Sequence, residues 1–257
     1  MDEQTSTAYE RAVAEGESRL RRSWPALLAT GAVGGIDVSV GVLAYFLVDA
    51  ETHSKPLAAL AFSIGFVALT LAHSELFTEN FLVPIAAITA KRVGGMSLAR
   101  LWIATAAMNV LAGWVMMSFI AGGFPGLREV SVDAGQAYDQ TGIGWRSFAL
   151  AVLAGVAITL MTWMQHSSDS IGAHVVAAVI MAFVLGVGSL HHVIIMSLTM
   201  FAALIYGAPF GYLNWCADSA WAALGNLAGG IGLVTGLRVL QAGKGVIEEQ
   251  QRAGEAG

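Results

Sequence analysis

The chain has 257 residues, 56% of them hydrophobic and only 12% charged, with a formal net charge of −5. A mean hydropathy of +0.67 excludes an ordinary soluble domain and marks a polytopic membrane protein. The small, dispersed negative charge argues against a nucleic-acid partner, and the single cysteine, Cys216, excludes an intrachain disulfide and any cysteine metal cluster.

In chain order, the first 24 residues hold Glu10, Arg11, Glu15, Glu17, Arg19, Arg21 and Arg22 among Tyr9, Val13 and Leu20. This is no signal-peptide core, so the first apolar span is expected to direct insertion itself. Residues 1–25 read either as a short amphipathic cytoplasmic helix or as a frayed tail, and Pro25 suits a first helical turn. A transmembrane domain is expected over 26–240 and a cytoplasmic tail over 241–257.

Six apolar stretches follow, at about 26–48, 57–90, 98–121, 146–164, 174–206 and 217–240. Each meets or exceeds the ~20 residues that a bilayer core requires. None shows the sustained alternation of a β-barrel strand. The second and fifth are too long for one straight crossing, and both are polar in the middle. The second holds His73, Ser74, Glu75, Thr78, Glu79 and Asn80; the fifth holds Gly188, Ser189, His191 and His192. Ionisable groups at bilayer depth cost roughly 2.5–3.5 kcal/mol each on insertion scales, so they are rare and mark pathways. Each of these two segments is therefore expected to be two half-helices around an interruption. An interruption in the middle span of each set of three is the pattern of an inverted-topology repeat. The fold class expected is an all-α membrane protein of six spans in a 3+3 arrangement.

Orientation follows from the basic residues. With the N-terminus inside, Arg11, Arg19, Arg21, Arg22, Lys91, Arg92, Arg100, Arg238, Lys244 and Arg252 fall on the cytoplasmic side, against Lys55, Arg128 and Arg146 outside. That bias places both termini in the cytoplasm. The connection at about 122–145, with Gly122, Gly123, Pro125 and Gly126, reads as turns without assigned chemistry. Gly31, Gly34, Gly35 and Gly41 in the first span, and Gly225, Gly229, Gly230, Gly232 and Gly236 in the last, allow close helix approach in lipid.

The candidate site residues lie at the two interruptions. Glu75 either bonds backbone N–H groups freed there or faces a pathway, and Glu79 has the same two options. His191 and His192 are adjacent, and neighbours on a helix differ by about 100°, so only one is expected to enter a narrow pore. Phe62, Phe66, Leu76, Phe77 and Val184 are either core or apolar slits that stop hydrated ions.

These residues carry a resemblance. Glu75-Leu76-Phe77-Thr78 resembles the acidic-Leu-Phe-Thr motif at the second helix of the formate/nitrite transporter family (FNT). Gly188-Ser189-Leu190-His191 takes the place of its Gly-x-Glu-His, Leu224-Gly225-Asn226-Leu227-Ala228-Gly229-Gly230 is similar to its Gly-Asn-x-x-Gly-Gly, and Leu160-Met161-Thr162-Trp163-Met164 is similar to the end of its fourth helix. The resemblance covers about residues 26–240. It implies an aquaporin-like protomer with inverted repeats, a homopentamer, and a pore in each protomer of a bacterial inner membrane. It implies further that His191 is the central pore histidine with Thr78 opposite. His192 stands beside them, Phe62, Phe66, Leu76 and Phe77 form slits, and Asn226 supports the loop. Small monovalent anions such as formate and nitrite would pass as neutral acids, with no cofactor. The chain departs from the family pattern at Leu190 (Glu in the family), His192 (small), Ile195 (Asn) and Gly155 (Asn), and it adds His73 and Glu79; these differences resemble the divergent YfdC-like branch.

Two alternatives differ in kind. The carboxylates and His73 would suit a cation or a small neutral solute. His73, Glu79, His191, His192 and Asp37 are metal-ligand types, as in an intramembrane metal-dependent enzyme, but they lack a ligand spacing.

Overall fold

A computed structural model describes residues 3–255; the first two and last two positions of the expected terminal segments lie outside the described residues. The secondary structure is helical throughout these residues. In chain order the helices are α1 (Glu3–Arg21), α2 (Trp24–Thr52), α3 (Lys55–Ala72), α4 (Val83–Thr89), α5 (Gly95–Gly123), α6 (Arg128–Thr141), α7 (Trp145–His166), α8 (Ile171–Val187), α9 (Val193–Ile205), α10 (Tyr212–Leu227) and α11 (Gly236–Glu255). Helices α2, α3, α5, α7 and the continuous stretch Tyr212–Gly243 are each long and apolar enough to cross a membrane. Shorter apolar helices run over Phe77–Thr89, Ile171–Val187 and Val193–Ile205. The chain is a multi-pass helical membrane protein.

The second apolar stretch changes conformation where its sequence turns polar. Helix α3 stops at Ala72, and His73 caps it in the left-handed region at φ 53°, its N–H donating to the Leu69 carbonyl. A 3-10 turn over Phe77–Phe81 follows, and α4 starts at Val83. Pro84 prevents a continuous helix, because it has no N–H to give the carbonyl four residues back. That carbonyl, of Asn80, accepts instead from Trp102 Nε1 at 3.0 Å, and the Phe81 carbonyl accepts from Thr235 Oγ1 at 2.7 Å. The fifth stretch does likewise. Helix α8 ends at Val187, Ser189 has φ 45°, and α9 begins at Val193 with His192 as its N-cap.

Small residues bring the helices together, as expected where lipid supplies no hydrophobic drive between them. Gly41 of α2 meets Gly65 of α3 backbone to backbone. A Cβ at Gly34 would overlap the Glu75 carbonyl, one at Gly35 would press into Asn109, and one at Gly155 would overlap the Asn226 carbonyl. Gly34 sets how closely α2 approaches the first polar segment, and Gly35 and Gly155 how closely α2 and α7 approach the asparagines that hold the two segments.

The first segment is a helix, not a frayed tail. Tyr9, Ala12 and Val13 of α1 are buried with Leu82, Val83 and Ala86 of the α4 region. Gly16 permits this contact, since a Cβ there would overlap the Val83 carbonyl. The connection at 122–145 is also more ordered than its turn residues suggest. It contains α6, a 14-residue amphipathic helix that lies along α9.

Candidate functional site: two polar interruptions between two cavities

Each polar segment is held by one buried asparagine. Asn109 of α5 accepts from the Phe77 N–H at 2.8 Å, and its Nδ2 donates to the carbonyls of Gly31 (2.7 Å) and Glu75 (2.9 Å). Asn226 of α10 accepts from the Val193 N–H at 2.9 Å, and its Nδ2 donates to Ala151 (2.8 Å) and His191 (2.9 Å). In both cases the side chain satisfies a carbonyl and the N–H two residues later, groups that have no helical partner where a helix stops. The motif around Asn226 led to it from sequence. Asn109 carried a signal that sequence reading passed over: an amide side chain inside an otherwise apolar span.

The two segments touch through Thr78 and His192. The Thr78 hydroxyl and His192 Nε2 are 2.6 Å apart, both buried, and His192 Nδ1 accepts from the Ile195 N–H at 3.3 Å. With Nδ1 occupied as an acceptor, a neutral imidazole carries its proton on Nε2 and donates it to Thr78 Oγ1. Both nitrogens of His192 are thus occupied, one by the first segment and one by the start of its own helix α9.

His191 is placed otherwise. The resemblance pairs Thr78 with His191; here the partner is its neighbour. His191 is 5% exposed, lines a cavity of about 650 Å³, called outer because no described residue of α1 lines it, and its ring meets Tyr138 in a T-shaped arrangement with centroids 5.1 Å apart. The cavity is lined also by Phe46, Phe62, Leu150 and Leu185, and by the charged Asp49, Glu129, Asp133 and Arg146.

A second cavity of about 440 Å³, called inner because α1 lines it, reaches the first interruption and is lined by His73, Ser74, Glu75 and Glu79 and by Arg11, Arg19 and Arg22 of the N-terminal segment. Glu75 does not hold loop N–H groups. Its Oε1 takes Arg22 Nη1 at 2.7 Å and Arg19 Nε at 3.2 Å, while Oε2 is buried with no partner among the described residues. Glu79 has the loop role, with Oε2 accepting from the Leu76 N–H at 3.0 Å. Arg19 also donates to Asn80 Oδ1 at 3.2 Å and pairs with Glu15 at 2.9 Å. Burial opposes the charge on Arg19, but Glu75, Glu15 and Glu79 together outweigh it and raise its pKa. Burial likewise pushes the Glu15 carboxyl up, and the adjacent Arg19 guanidinium more than reverses this, holding it below the usual carboxylate range. Sequence reading missed the arginines, because 53 residues separate Arg22 from Glu75.

The apolar candidates divide. Phe62 lines the outer cavity and packs on Phe66, with centroids 5.5 Å apart. Phe66 and Leu76 are fully buried. Phe77 stacks edge-on against Phe81 and Trp102. Val184 is 40% exposed and lines neither cavity. It faces outward from α8, because the helical register turns its neighbour Leu185 to the core instead. His73 is an exposed helix cap at the inner mouth. No group of three metal-ligating side chains occurs among the described residues.

Residues 6–240 match the family model described as formate/nitrite transporter. The chain is 26% identical over 232 residues to the inner membrane protein YfdC of Escherichia coli (strain K12), covering 84% of this chain and 71% of that one. Its fold is similar to that of an FNT family ion channel, with a TM-score of 0.84 at 16% identity over 92% of this chain and 99% of that one. It is similar also to that of a pentameric formate channel with formate bound, with a TM-score of 0.69 at 19% identity over 84% and 95%. Both of these solved structures are of channels. The chain belongs to the formate/nitrite transporter family.

Proposed function

We propose that this protein is a channel of the bacterial cytoplasmic membrane that passes small monovalent anions of the formate/nitrite type as their neutral conjugate acids. The observation that carries this is the Thr78–His192 contact. It joins two polar interruptions, one reached by the outer cavity and one by the inner, with Phe66 and Leu76 buried around it. A bare anion entering such an apolar section would lose its hydration without gaining a partner, at several kcal/mol. A protonated acid avoids most of that cost. His191, with free nitrogens at the end of the outer cavity, exchanges the proton. His192 and Thr78 hold the centre, Phe62 narrows the outer approach, and Phe66, Leu76 and Phe77 wall the passage.

The matching roles of Asn109 and Asn226 support a six-span inverted repeat. One half is α2, the broken α3–α4 and α5; the other is α7, the broken α8–α9 and α10–α11. The basic residues support cytoplasmic termini, and the pentameric relative supports a homopentamer in the bilayer.

A cation or neutral solute is the second possibility, favoured by Asp49, Glu129 and Asp133 around the outer cavity. At the inner end the motive for it weakens, because Arg19 and Arg22 compensate Glu75. Stopped-flow flux into proteoliposomes with an internal pH dye separates the two. Formate, nitrite and acetate should carry protons inward faster than into empty liposomes, and faster at lower pH. Movement of ammonium or potassium alone would overturn the anion reading.

A further inference from the structure

Neither ring nitrogen of His191 has a hydrogen-bond partner among the described residues, although the residue is only 5% exposed. Its own loop cannot orient it. Leu190 before it is apolar and buried, and His192 after it is occupied by Thr78 and Ile195. A proton-exchanging histidine needs its ring plane fixed, usually by a bond at the second nitrogen. Here the ring contact comes from α6: Tyr138 lies at 5.1 Å and 75°.

Helix α6 is fastened to the same body that carries His191. Gly135 brings it against Ala203 and the Thr199 carbonyl of α9, closely enough that a Cβ there would overlap Ala203. Arg128 Nε donates to the Tyr206 carbonyl at 3.1 Å, just past the end of α9. Helix α9 begins two residues after His191. Tyr138 and His191 are therefore held in register by one rigid packing contact.

We infer that Tyr138 is the positioning residue for His191, fixing the imidazole plane through this T-shaped ring contact while leaving both nitrogens to the outer cavity for a weak acid and its proton. This rests on the proposed weak-acid function. An aromatic ring differs from a carboxylate in that role. A carboxylate would occupy one ring nitrogen and favour the imidazolium strongly, whereas a T-shaped aromatic pair is a weak contact that takes no hydrogen bond from the ring. Burial pushes the Tyr138 phenol above its ordinary value, so it stays neutral through the working range. The other titratable or charged groups on the cavity are Tyr45 and Asp49 of α2, His53 and Lys55 at the α2–α3 turn, Glu129 and Asp133 of α6, and Arg146 of α7.

The test uses the full-length protein as Tyr138→Phe, Tyr138→Leu and Tyr138→Ala, each checked for assembly by size-exclusion chromatography. Weak-acid flux against pH is one readout. The pH titration of the His191 ring, followed by NMR of ring-labelled histidine and assigned with His191→Gln, is the other. Tyr138→Phe should keep flux within about twofold, whereas Leu and Ala should lose roughly tenfold or more, as mispositioning of a reacting group does. In Leu and Ala the His191 midpoint should move by about half a pH unit or more, and in Phe it should not. An unmoved midpoint in Leu and Ala overturns the assignment, as does a loss in Phe as large as in Ala. If the wild-type protein passes no weak acid, the functional proposal fails while the titration still decides the role of Tyr138.

Discussion

Asn109 and Asn226 make matching sets of hydrogen bonds 117 positions apart, each to a carbonyl, to the N–H two residues on, and to a carbonyl of a facing helix, Gly31 or Ala151. Where a helix stops inside an apolar environment its backbone groups must find partners, and a short amide with one acceptor and two donors meets three at once. Asn109→Ala or Asn226→Ala would orphan all three. At about 1–3 kcal/mol for each buried group left unsatisfied, either variant should shift thermal unfolding in detergent sharply and reduce the assembled fraction on size exclusion. Asn226→Asp keeps the acceptor for Val193 but turns a buried carboxyl oxygen toward the Ala151 and His191 carbonyls, and should be at least as destabilising as Ala.

The close glycines give a paired test. Gly155→Val places atoms into the Asn226 carbonyl, and Gly35→Val into Asn109, with backbone on the far side of each contact. Overpacking of this kind costs roughly 1–3 kcal/mol. Gly232 has open space where a Cβ would go, so Gly232→Ala should be neutral, or stabilising by up to about 1 kcal/mol from helix propensity. Equal melting temperatures for Gly155→Val and Gly232→Ala would contradict the packing.

Arg19, Arg22 and Glu75 fasten the N-terminal helix to the first interruption. Without the Glu75 charge, Arg22 loses its ion-pair partner and Arg19 keeps only Glu15 and Asn80, a loss smaller than the roughly 3–5 kcal/mol of a fully buried pair because Arg22 is partly solvated. Glu75→Gln should therefore release α1, and trypsin should cleave after Arg19 and Arg22 many times faster than in the wild type. A cleavage rate equal to that of the wild type would mean that the apolar contacts of Tyr9 and Val13 suffice to hold α1.

Glu15 makes that docking sensitive to acid. Its folded pKa lies below the ordinary carboxylate value, so its contribution is complete above that ordinary value and is lost as pH falls through the lowered one. With the Glu15 side chain 43% exposed, solvent screening keeps the effect small. Hydrogen–deuterium exchange of residues 8–20 should rise as pH drops below the carboxylate range, after correction for intrinsic exchange. Glu15→Gln should flatten that rise.

The adjacent histidines should separate in function. His191→Ala should keep the assembly and lose weak-acid flux by about 10²-fold or more, the usual contribution of a positioned proton-transfer group. His192→Ala removes the N-cap of α9 and the link to Thr78, so it should lower stability first and flux only as a consequence. Flux unchanged in His191→Ala would remove the proton-exchange role.

What could be read along the chain was what depends on local composition. The apolar stretches, the polar interruptions at 73–80 and 188–192, the basic bias of one set of loops, and the loop motif around Asn226 all depend on residue types at short range. Pro84 and the positive-φ residues His73 and Ser189 then make the helices stop there. What joins distant points of the chain was decided only by the fold. Which of His191 and His192 meets Thr78 depends on the rotation of a non-helical segment, and hydropathy is blind to that. The Arg19 and Arg22 contacts with Glu75, and the Tyr138 contact with His191, join residues more than fifty positions apart. The outward turn of Val184 follows from which face of α8 meets the core. Composition and periodicity report how each residue interacts with lipid, water and its own helix. Pairing across space depends on where the packed helices carry each side chain, and the close glycine contacts and the two asparagines determine that.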